Sequence, residues 1–474
     1  MRKVSGLLLA AERRAITGLA GLYATRMLGL FMVLPVLALH ADDLAGATPL
    51  LVGLALGIYG LTQAILQIPF GVLSDRLGRK PVIAVGLLLF LLGSVVAANA
   101  ETIAAVIVGR CLQGSGAVAA AIMALLADQT REQVRTAAMA TIGLSIGVAF
   151  AVAMVLGPWL AASFGLATVF WFTAGLAVLG LAVLWKLVPP APRRLRHRDV
   201  GMDRRQLADI VTRADLWRLD MSIFALHLVL MAIFVAVPFR LVEAGIPADR
   251  HGLTYLGVMA LAFIGMVPLV IVAEKRQRMK GMCLLAIAAI AVSLFGLAGL
   301  AGSGMALFAW LLVFFIGFNL LEATLPSMIS KLAPAGAKGT AMGIYSTSQF
   351  LGAFLGGVMG GFLAQQWGLA AVFLGAGALT LVWGALMLGM PTPPHLASEV
   401  VALDADQPED ALETLMTRFA EVAGVEDVLV VPEERLAYLK VDRQRLDEQA
   451  LARLTCSPQH ADEESGTLRQ QPRS

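Results

Sequence analysis

Four ionisable side chains stand well inside long apolar stretches of this sequence: Arg26, Arg110, His227 and Glu322. A charge at the centre of a membrane span costs on the order of 3 kcal/mol on insertion scales, so such residues are expected to face water or one another. A carboxyl group and an imidazole can each carry a proton, whereas a guanidinium can bind an anion. We therefore predict that Glu322 is a proton-carrying group, with His227 as the alternative carrier or its relay partner.

Two of the four residues also allow a purely structural interpretation. Arg110 would then hydrogen-bond helix backbones, and His227 would be a histidine that is satisfied within the core. Glu322 is harder to explain in this way. Asp43, another acidic candidate, lies at the edge of a wet loop.

The composition requires a membrane around these residues. Hydrophobic residues make up 58% of the chain and charged residues 15%, whereas charged residues are about one quarter of soluble domains. A helix needs about 20 apolar residues to cross the hydrocarbon core. Twelve such spans are predicted, at about 16–39, 50–72, 81–99, 103–127, 137–162, 166–188, 219–242, 252–273, 281–300, 304–328, 339–363 and 369–389.

The placement of charge predicts the orientation of these spans. One set of loops is rich in cations: Arg76, Arg79, Lys80, Arg131, Arg135, Arg193, Arg194, Arg196, Arg198, Lys275, Arg276, Arg278, Lys280, Lys331 and Lys338. The opposite loops are mainly acidic, with Asp42, Asp43, Glu101, Glu243 and Asp249 beside Arg240 and Arg250. By the positive-inside rule both termini are expected to be cytoplasmic. The net charge of +3 then reflects topology, and no nucleic-acid partner is expected.

Two segments of the first half recur in the second half. Pro69, Asp75, Arg76 and Arg79 correspond to Pro268, Glu274, Lys275 and Arg278, and the run Gly165–Phe170 corresponds to Gly368–Phe373. Self-similarity on this scale in a hydrophobic chain indicates a duplicated helical transporter.

The charged turn Gly71–Lys80 resembles the GxxxDRxGRK signature of the major facilitator superfamily, and Arg110–Gly114 is similar to the family's RxxQG element. This resemblance covers about residues 16–390. It implies an all-α membrane protein of twelve transmembrane helices in two six-helix halves. The first helix of each three-helix repeat lines the central cavity in this family, and these are the four spans that hold the four ionisable residues. Gln113 and Asn319 are assigned to the same proton and substrate cavity.

The resemblance also implies a conformational switch in the charged turn, formed by Gly71, Asp75, Arg76, Gly78, Arg79 and Lys80. Gly71 would allow close helix approach, and Gly78 a backbone bend that other residues resist. In the family the acidic residue, here Asp75, lies near the start of the eleventh helix, here about Gly339. A helix start carries partial positive charge, so this contact would hold the two halves together. For Arg76, Arg79 and Lys80, a role in topology alone is the alternative.

The fifth span departs from the pattern of proton-coupled drug antiporters in this family. Their GxxxGPxxGG motif keeps only Gly157 and Pro158 here, with alanine in place of the outer glycines. Alanine still permits close packing, so a hinge at Gly157 and Pro158 stays a prediction. The departure weakens the assignment as an antiporter.

The sequence after Pro391 changes character and predicts a small soluble domain. A helix over 409–423, strands over 425–431 and 436–441 and a second helix near 446–454, with an opening strand near 400–403, resemble a ferredoxin-like α+β domain. The segment Leu28–Pro35 and this tail together resemble the YajR-type branch of the family. The Cys-x-x-Cys of heavy-metal-associated domains is absent, and the three cysteines are far apart. No metal site is therefore expected, and an assembly role and a sensor role both stay open.

The predicted organisation has six parts: a cytoplasmic segment (1–15), the first six-helix half (16–188), a linker (189–218), the second half (219–390), the ferredoxin-like domain (391–457) and a disordered tail (458–474). Within the linker, 200–217 is a candidate for a short amphipathic helix on the membrane surface.

The leading functional prediction is a proton-coupled antiporter that exports small amphipathic molecules by alternating access. One alternative is an importer or symporter of a small polar or anionic solute, with Arg26 or Arg110 binding the anion. A second is a membrane sensor or scaffold that acts through the tail. Nothing supports an enzyme. The expected partners are a small-molecule substrate, protons and the lipid bilayer of a bacterial inner membrane. No cofactor is expected besides the proton gradient, and the oligomeric state, with a monomer as one option, stays open.

Overall fold

A computed structural model describes residues 9–189, 212–299, 303–333, 338–391, 396–402, 409–431, 436–442 and 445–455. The first half of the chain forms seven helices: α1 (Ala10–Met32), α2 (Pro49–Leu77), α3 (Arg79–Ala98), α4 (Ile103–Ser115), α5 (Ala119–Asp128), α6 (Glu132–Phe164) and α7 (Leu166–Lys186). The second half forms α8 (Ala214–Glu243), α9 (His251–Lys275), α10 (Met279–Gly299), α11 (Gly304–Leu332), α12 (Lys338–Trp367) and α13 (Leu369–Leu388).

Within the described residues, twelve spans are long and apolar enough to cross a membrane, and α4 and α5 together make one of them. Helix starts follow ordinary capping chemistry. Thr48 and Thr102 precede α2 and α4, and each hydroxyl accepts a hydrogen bond from a backbone N–H in the first helical turn, which satisfies one of the free donors there. The all-α membrane fold predicted from the sequence is confirmed.

Two predicted spans needed correction. The first helix runs over Ala10–Met32 and not over 16–39, and turns follow it up to His40. Pro35 lacks an N–H and disfavours helix before it, which accounts for the early end. The fourth span is interrupted at Gly116–Val118. A side-chain carbon on Gly86 of α3 would collide with Val118, so the irregular segment packs tightly against α3.

The internal repeat is visible at two glycines. Gly165 joins α6 to α7 with φ of +83°, and Gly368 joins α12 to α13 with φ of +81°. Glycine adopts this left-handed backbone at little cost, whereas other residues resist it. The two sequence-related segments therefore make the same tight connection in both halves.

Among the described residues, the backbones of the two halves approach closely at two helix pairs, α2 with α12 and α6 with α9. The backbones of Gly53 on α2 and Gly357 on α12 lie so close that a methyl group on either would collide with the carbonyl oxygen of the other. On the second pair, Gly252 of α9 packs against the backbone of Val155 of α6. Small residues let membrane helices approach in this way.

The tail forms a separate α+β unit with the order β1 (Leu396–Ala402), α14 (Glu409–Ala420), β2 (Val425–Val431), β3 (Leu436–Asp442) and α15 (Glu448–Thr455). The strands form an antiparallel sheet in the order β1-β3-β2. Its core includes Phe419, Ala437, Leu439 and Val441. The ferredoxin-like domain predicted from the sequence is confirmed. Residues 190–211 and the tail after 455 lie outside the described residues. Most of the predicted surface helix (200–217) therefore lies outside them as well.

Candidate transport site

The second half brings His227 of α8, Glu322 of α11 and Gln349 of α12 together. Nε2 of His227 lies 3.5 Å from Oε1 of Glu322 and 2.8 Å from Nε2 of Gln349. The side chains of His227 and Glu322 are 14% and 33% exposed. The two residues predicted to carry protons are therefore neighbours inside the membrane-spanning bundle.

The hydrogen bonds of His227 define its tautomer. Nδ1 lies 3.3 Å from the carbonyl oxygen of Ile223, one turn earlier on α8. A carbonyl oxygen only accepts, so Nδ1 carries the hydrogen, and Nε2 accepts from the amide nitrogen of Gln349. A protonated imidazole would donate from both nitrogens and would turn Nε2 toward the Glu322 carboxylate. One proton thus separates two arrangements of the same three side chains.

Three polar atoms within and near this pair have no hydrogen-bond partner in the described part of the chain: Oε1 of Glu322, Nδ2 of Asn319 and the hydroxyl of Tyr345. Asn319 precedes Glu322 by three residues on α11, which places both on one helix face. Buried polar groups are nearly always paired. These atoms are therefore available to a ligand or to water. We call His227, Asn319, Glu322, Tyr345 and Gln349 the C-terminal polar cluster.

A row of aromatic rings leads from the first half of the chain to this cluster. The ring of Phe318 lies 5.9 Å from that of His227, and Phe315 lies 6.2 Å from Phe318. Phe150 of α6 lies 6.4 Å from Phe315 and 4.9 Å from Phe31 of α1. Buried aromatic side chains thus pack beside the polar cluster.

Arg26 lies in the interior of the first half and is 2% exposed. Its Nη2 donates to Oε1 of Gln63 at 2.7 Å and to the carbonyl oxygen of Gly116 at 2.9 Å. The guanidinium lies 5.8 Å from the ring centres of both Tyr59 and Phe90. Arg26 therefore gives the Gly116 carbonyl, which also accepts from the N–H of Val118, a second donor at the break between α4 and α5. Two of its nitrogens, Nε and Nη1, have no partner in the described part of the chain.

Arg110 differs, because all three of its nitrogens donate to protein oxygens. Nε bonds the carbonyl of Ala55 at 3.2 Å, Nη2 that of Leu56 at 3.5 Å, and Nη1 bonds Oε1 of Gln113 at 2.9 Å. Gln113 in turn donates to Oγ of Ser94 at 2.8 Å. Arg110 and Gln113 thus tie α2, α3 and α4 together, which is the backbone-bonding alternative considered for Arg110.

In the predicted switch turn, Arg79 makes three polar contacts. Its guanidinium pairs with Asp75 one turn earlier, with Asp128 at the end of α5 at 3.1 Å, and with the hydroxyl of Ser74 at 2.8 Å. Gly78, between α2 and α3, has φ of +98°. The turn is therefore joined to the end of the fourth span.

The remaining residues of the turn have varied environments. Arg76 is exposed, and Nζ of Lys80 donates to the carbonyl of Val188 at 2.6 Å. The reason predicted for Gly71 is wrong: a side-chain carbon there would meet Ala120 at 3.8 Å, an ordinary contact that needs no glycine. The contact of Asp75 with the helix start near Gly339 stays a prediction.

The predicted hinge residues Gly157 and Pro158 lie within a continuous α6. A side-chain carbon on Gly157 would collide with the carbonyl oxygen of Met32 at the end of α1. Gly157 is therefore a close packing contact with α1, and bending at Pro158 stays a prediction.

Sequence reasoning missed several polar residues that complete these sites. Gln63, Tyr59, Gln349 and Tyr345 carry no charge, so they gave no contrast against their apolar spans. Asp220, near the start of α8, is 6% exposed, and its Oδ1 has no hydrogen-bond partner in the described part of the chain. Its position inside the predicted seventh span was the available signal.

A second missed feature is an ion pair between a buried carboxylate and a half-buried guanidinium. Glu12 of α1 accepts from Nε and Nη2 of Arg131 at 2.8 and 3.0 Å, and also from the backbone N–H of Leu9 at 2.9 Å. The hydrogen bond with Glu12 raises the pKa of Arg131, so the guanidinium stays charged across physiological pH. It fastens the start of α1 to the start of α6.

Comparison with known proteins decides the family. The model of the Major Facilitator Superfamily matches residues 19–357 and 320–412. The chain belongs to the major facilitator superfamily. Within this superfamily it is 46% identical to the inner membrane transport protein YajR of Escherichia coli over 431 residues, 91% of this chain and 94% of that protein. It is also 27% identical to the multidrug resistance protein MdtH of Aeromonas salmonicida, over 71% of this chain and 84% of that protein.

Solved structures of major facilitator proteins share the fold. A bacterial homolog of the human lysosomal transporter Spinster matches with a TM-score of 0.65 at 14% identity, over 81% of this chain and 97% of that one. A D-xylose-proton symporter matches with a TM-score of 0.64 at 15% identity, over 81% and 98%. The chain is thus a multi-pass membrane protein with the fold of secondary transporters.

Proposed function

We propose that this major facilitator protein is a proton-coupled antiporter that exports small amphipathic molecules by alternating access. The observation that carries the proposal is the 3.5 Å contact between Nε2 of His227 and Oε1 of Glu322 inside the bundle. A driving ion must interact differently with the two conformations that it helps to interconvert. A pair of proton-carrying groups on different helices, α8 and α11, meets this need because helix movement changes the distance between them.

In this mechanism Glu322 carries the proton across the membrane. With His227 neutral and bonded to Gln349, Glu322 is free to take up a proton from one side of the membrane. When α8 and α11 move, the carboxyl group meets different water and different neighbours, so it releases the proton on the other side. The substrate occupies the cavity in the return step.

The amphipathic class of substrate rests on two observations. The aromatic row that ends at Phe318 places buried aromatic rings beside the polar cluster, and helix movement during alternating access would expose them to an amphipathic molecule. One relative, MdtH, is named a multidrug resistance protein, which supports export of drug-like molecules. The altered motif around Gly157 and Pro158 is the feature that speaks against antiport.

Reconstituted protein in sealed vesicles tests the proposal. An outward gradient of ethidium should drive proton movement in the opposite direction, read by a pH-sensitive dye trapped inside. Glu322→Gln should abolish this proton signal, whereas Glu101→Gln, in an exposed loop, should leave it unchanged. Proton movement in the same direction as the substrate would contradict antiport. Absence of flux for a broad panel of compounds would favour the sensor or scaffold alternative.

A second candidate function, proton-coupled symport of an anionic solute, is favoured by Arg26. This fully enclosed guanidinium keeps Nε and Nη1 unpaired, and Nε2 of Gln63 and the hydroxyl of Tyr59 are unpaired beside it in the described structure. These groups are donors, suited to a carboxylate or another anion. A negative charge favours the protonated form of a nearby carboxyl group. For coupling, the anion would therefore have to come close to Glu322 at one stage of the transport cycle, where it would favour a proton on that carboxyl group.

The two candidates predict opposite couplings for matched ligands. In symport, 2-naphthoate should move protons in its own direction, whereas the neutral 2-naphthamide should not, and Arg26→Gln should abolish the response to naphthoate. In antiport, ethidium should exchange for protons, and Arg26→Gln should leave the sign of the coupling unchanged.

We also propose that both termini face the cytoplasm across a bacterial inner membrane, on the basis of the cation-rich loops. Reporter fusions after Lys80 and Lys280 should be active in the cytoplasm, and fusions near Asp43 and Asp249 outside it. A consistent inversion would contradict this orientation.

A further inference from the structure

A cavity of about 510 Å³ opens between the ends of three helices of the first half, α1, α3 and α7. Its lining residues belong to the first half of the chain, whereas the C-terminal polar cluster belongs to the second half. They lie at helix ends and in the turns beside them. Its charged and aromatic lining consists of Arg14, Arg79, Lys80, Trp185 and Lys186. Four cations thus line one opening, and no acidic residue is among the lining residues that the structure describes.

One of these cations is already neutralised. Arg79 pairs with Asp75 and Asp128. Two of the other cations contact backbone carbonyl oxygens. Nη2 of Arg14 donates to the carbonyl oxygen of Lys186 at 3.0 Å, and Nζ of Lys80 donates to that of Val188 at 2.6 Å. A carbonyl oxygen positions a cation without cancelling its charge. Arg14, Lys80 and Lys186 therefore give the cavity an excess of positive charge and hold two of its walls in place.

A helix start adds to this field. Gly78, which lines the cavity, is the residue before α3, and no side chain caps the first turn of that 20-residue helix. The free N–H groups and the dipole of a helix N-terminus favour an anion, and a phosphate group in particular. The uncapped start of α3 and the three cations therefore face the same space.

Trp185 indicates the depth of the cavity in the membrane. Its side chain is at the end of α7, is 60% exposed, and its ring centre lies 5.9 Å from Nζ of Lys80. Tryptophan is enriched at the boundary between the hydrocarbon core and water. The cavity thus lies at headgroup level, and a ligand that enters it can keep an apolar part beside the exposed surface of α7.

We propose that this cavity binds the headgroup phosphate of an anionic phospholipid. Basic pockets between membrane helices take such headgroups, and here the phosphate would contact Arg14, Lys80, Lys186 and the start of α3. The site shares Lys80 with the charged turn between α2 and α3. A bound lipid would therefore stabilise one position of that turn and make transport respond to the anionic lipid content of the membrane.

Native mass spectrometry of the purified full-length protein tests this site. Dioleoylphosphatidylglycerol and dioleoylphosphatidylcholine have the same acyl chains and differ in headgroup charge. Wild-type protein should retain phosphatidylglycerol in preference to phosphatidylcholine. The variant Arg14→Gln/Lys186→Gln should bind phosphatidylglycerol at least about tenfold more weakly, from the loss of two headgroup cations.

The matched control is Arg13→Gln/Lys275→Gln, which removes the same charge from two exposed positions outside the cavity and should bind like wild type. The single variant Lys186→Gln, at an exposed position, repeats the test if the double variant is poorly folded. Equal retention of the two lipids by wild type, or equal losses in the cavity variant and the control, would overturn the proposal. Displacement of phosphatidylglycerol by millimolar inorganic phosphate would also overturn it, because a soluble phosphate would then be the ligand.

Discussion

Nε2 of His227 on α8 and Oε1 of Glu322 on α11 lie 3.5 Å apart, although the two residues are almost a hundred positions apart in the sequence. The histidine nitrogen already accepts a hydrogen bond from Gln349, and the carboxylate oxygen accepts none from the described residues. The pair is therefore set to change its bonding when one proton is added. This relationship underlies the proposed coupling.

The two buried arginines should differ in their effect on stability. Arg110→Gln removes three hydrogen bonds, to the carbonyls of Ala55 and Leu56 and to Oε1 of Gln113. Leaving the buried Gln113 oxygen without a donor costs about 1–3 kcal/mol. Arg26→Gln removes a buried charge with two nitrogens that have no partner among the described residues, which offsets part of its lost bonding. Thermal unfolding of the purified variants should show the larger loss for Arg110→Gln. The opposite order would mean that Arg26 contributes more to structure than its contacts indicate.

The close contact of α2 and α12 should be sensitive to a single methyl group. Gly357→Ala would place a carbon against the carbonyl of Gly53, and overpacking of this kind costs about 1–3 kcal/mol. We expect weaker packing between the halves and much slower substrate flux in vesicles. The matched control is Gly343→Ala on the same helix, where nothing lies within 4 Å of the added carbon. Equal flux in both variants would show that this contact is not part of the transport cycle.

Asp75 is expected to bias the conformational equilibrium. A carboxylate at a helix start contributes roughly 0.3–1 kcal/mol at an exposed site, enough to change populations separated by a few kcal/mol. Asp75→Asn should favour the inward-open form and slow transport at near-normal expression. Thiol labelling of cysteines placed on the cytoplasmic side of the cavity measures this. Labelling equal to that of wild type, with Asp249→Asn as the control acid, would argue against the switch.

The sequence predicted the fold well because its signals are strong and local. Long apolar runs gave the twelve spans, and the αββα pattern of the tail gave a ferredoxin-like domain that the sheet order confirms. The break in the fourth span escaped prediction, since the groups that contact it are distant in sequence: Gly86 of α3 packs against it, and Arg26, 90 residues away, bonds the carbonyl of Gly116.

The candidate site could be predicted only in part. Charge inside apolar spans identified Arg26, Arg110, His227 and Glu322, but it could not separate the two arginines. All three nitrogens of Arg110 donate, whereas Nε and Nη1 of Arg26 have no partner among the described residues. Gln349 escaped notice because a neutral amide in a span has no local signature, and its meaning comes from its contact with His227.

The central claim is tested most directly by Glu322→Gln in reconstituted vesicles. The amide keeps the size and hydrogen-bonding capacity of the side chain and cannot carry the proton. Exchange of substrate across the membrane without a gradient should persist, whereas accumulation driven by an imposed pH gradient should disappear. If the variant concentrates substrate as well as wild type does under the same gradient, Glu322 is not the coupling site.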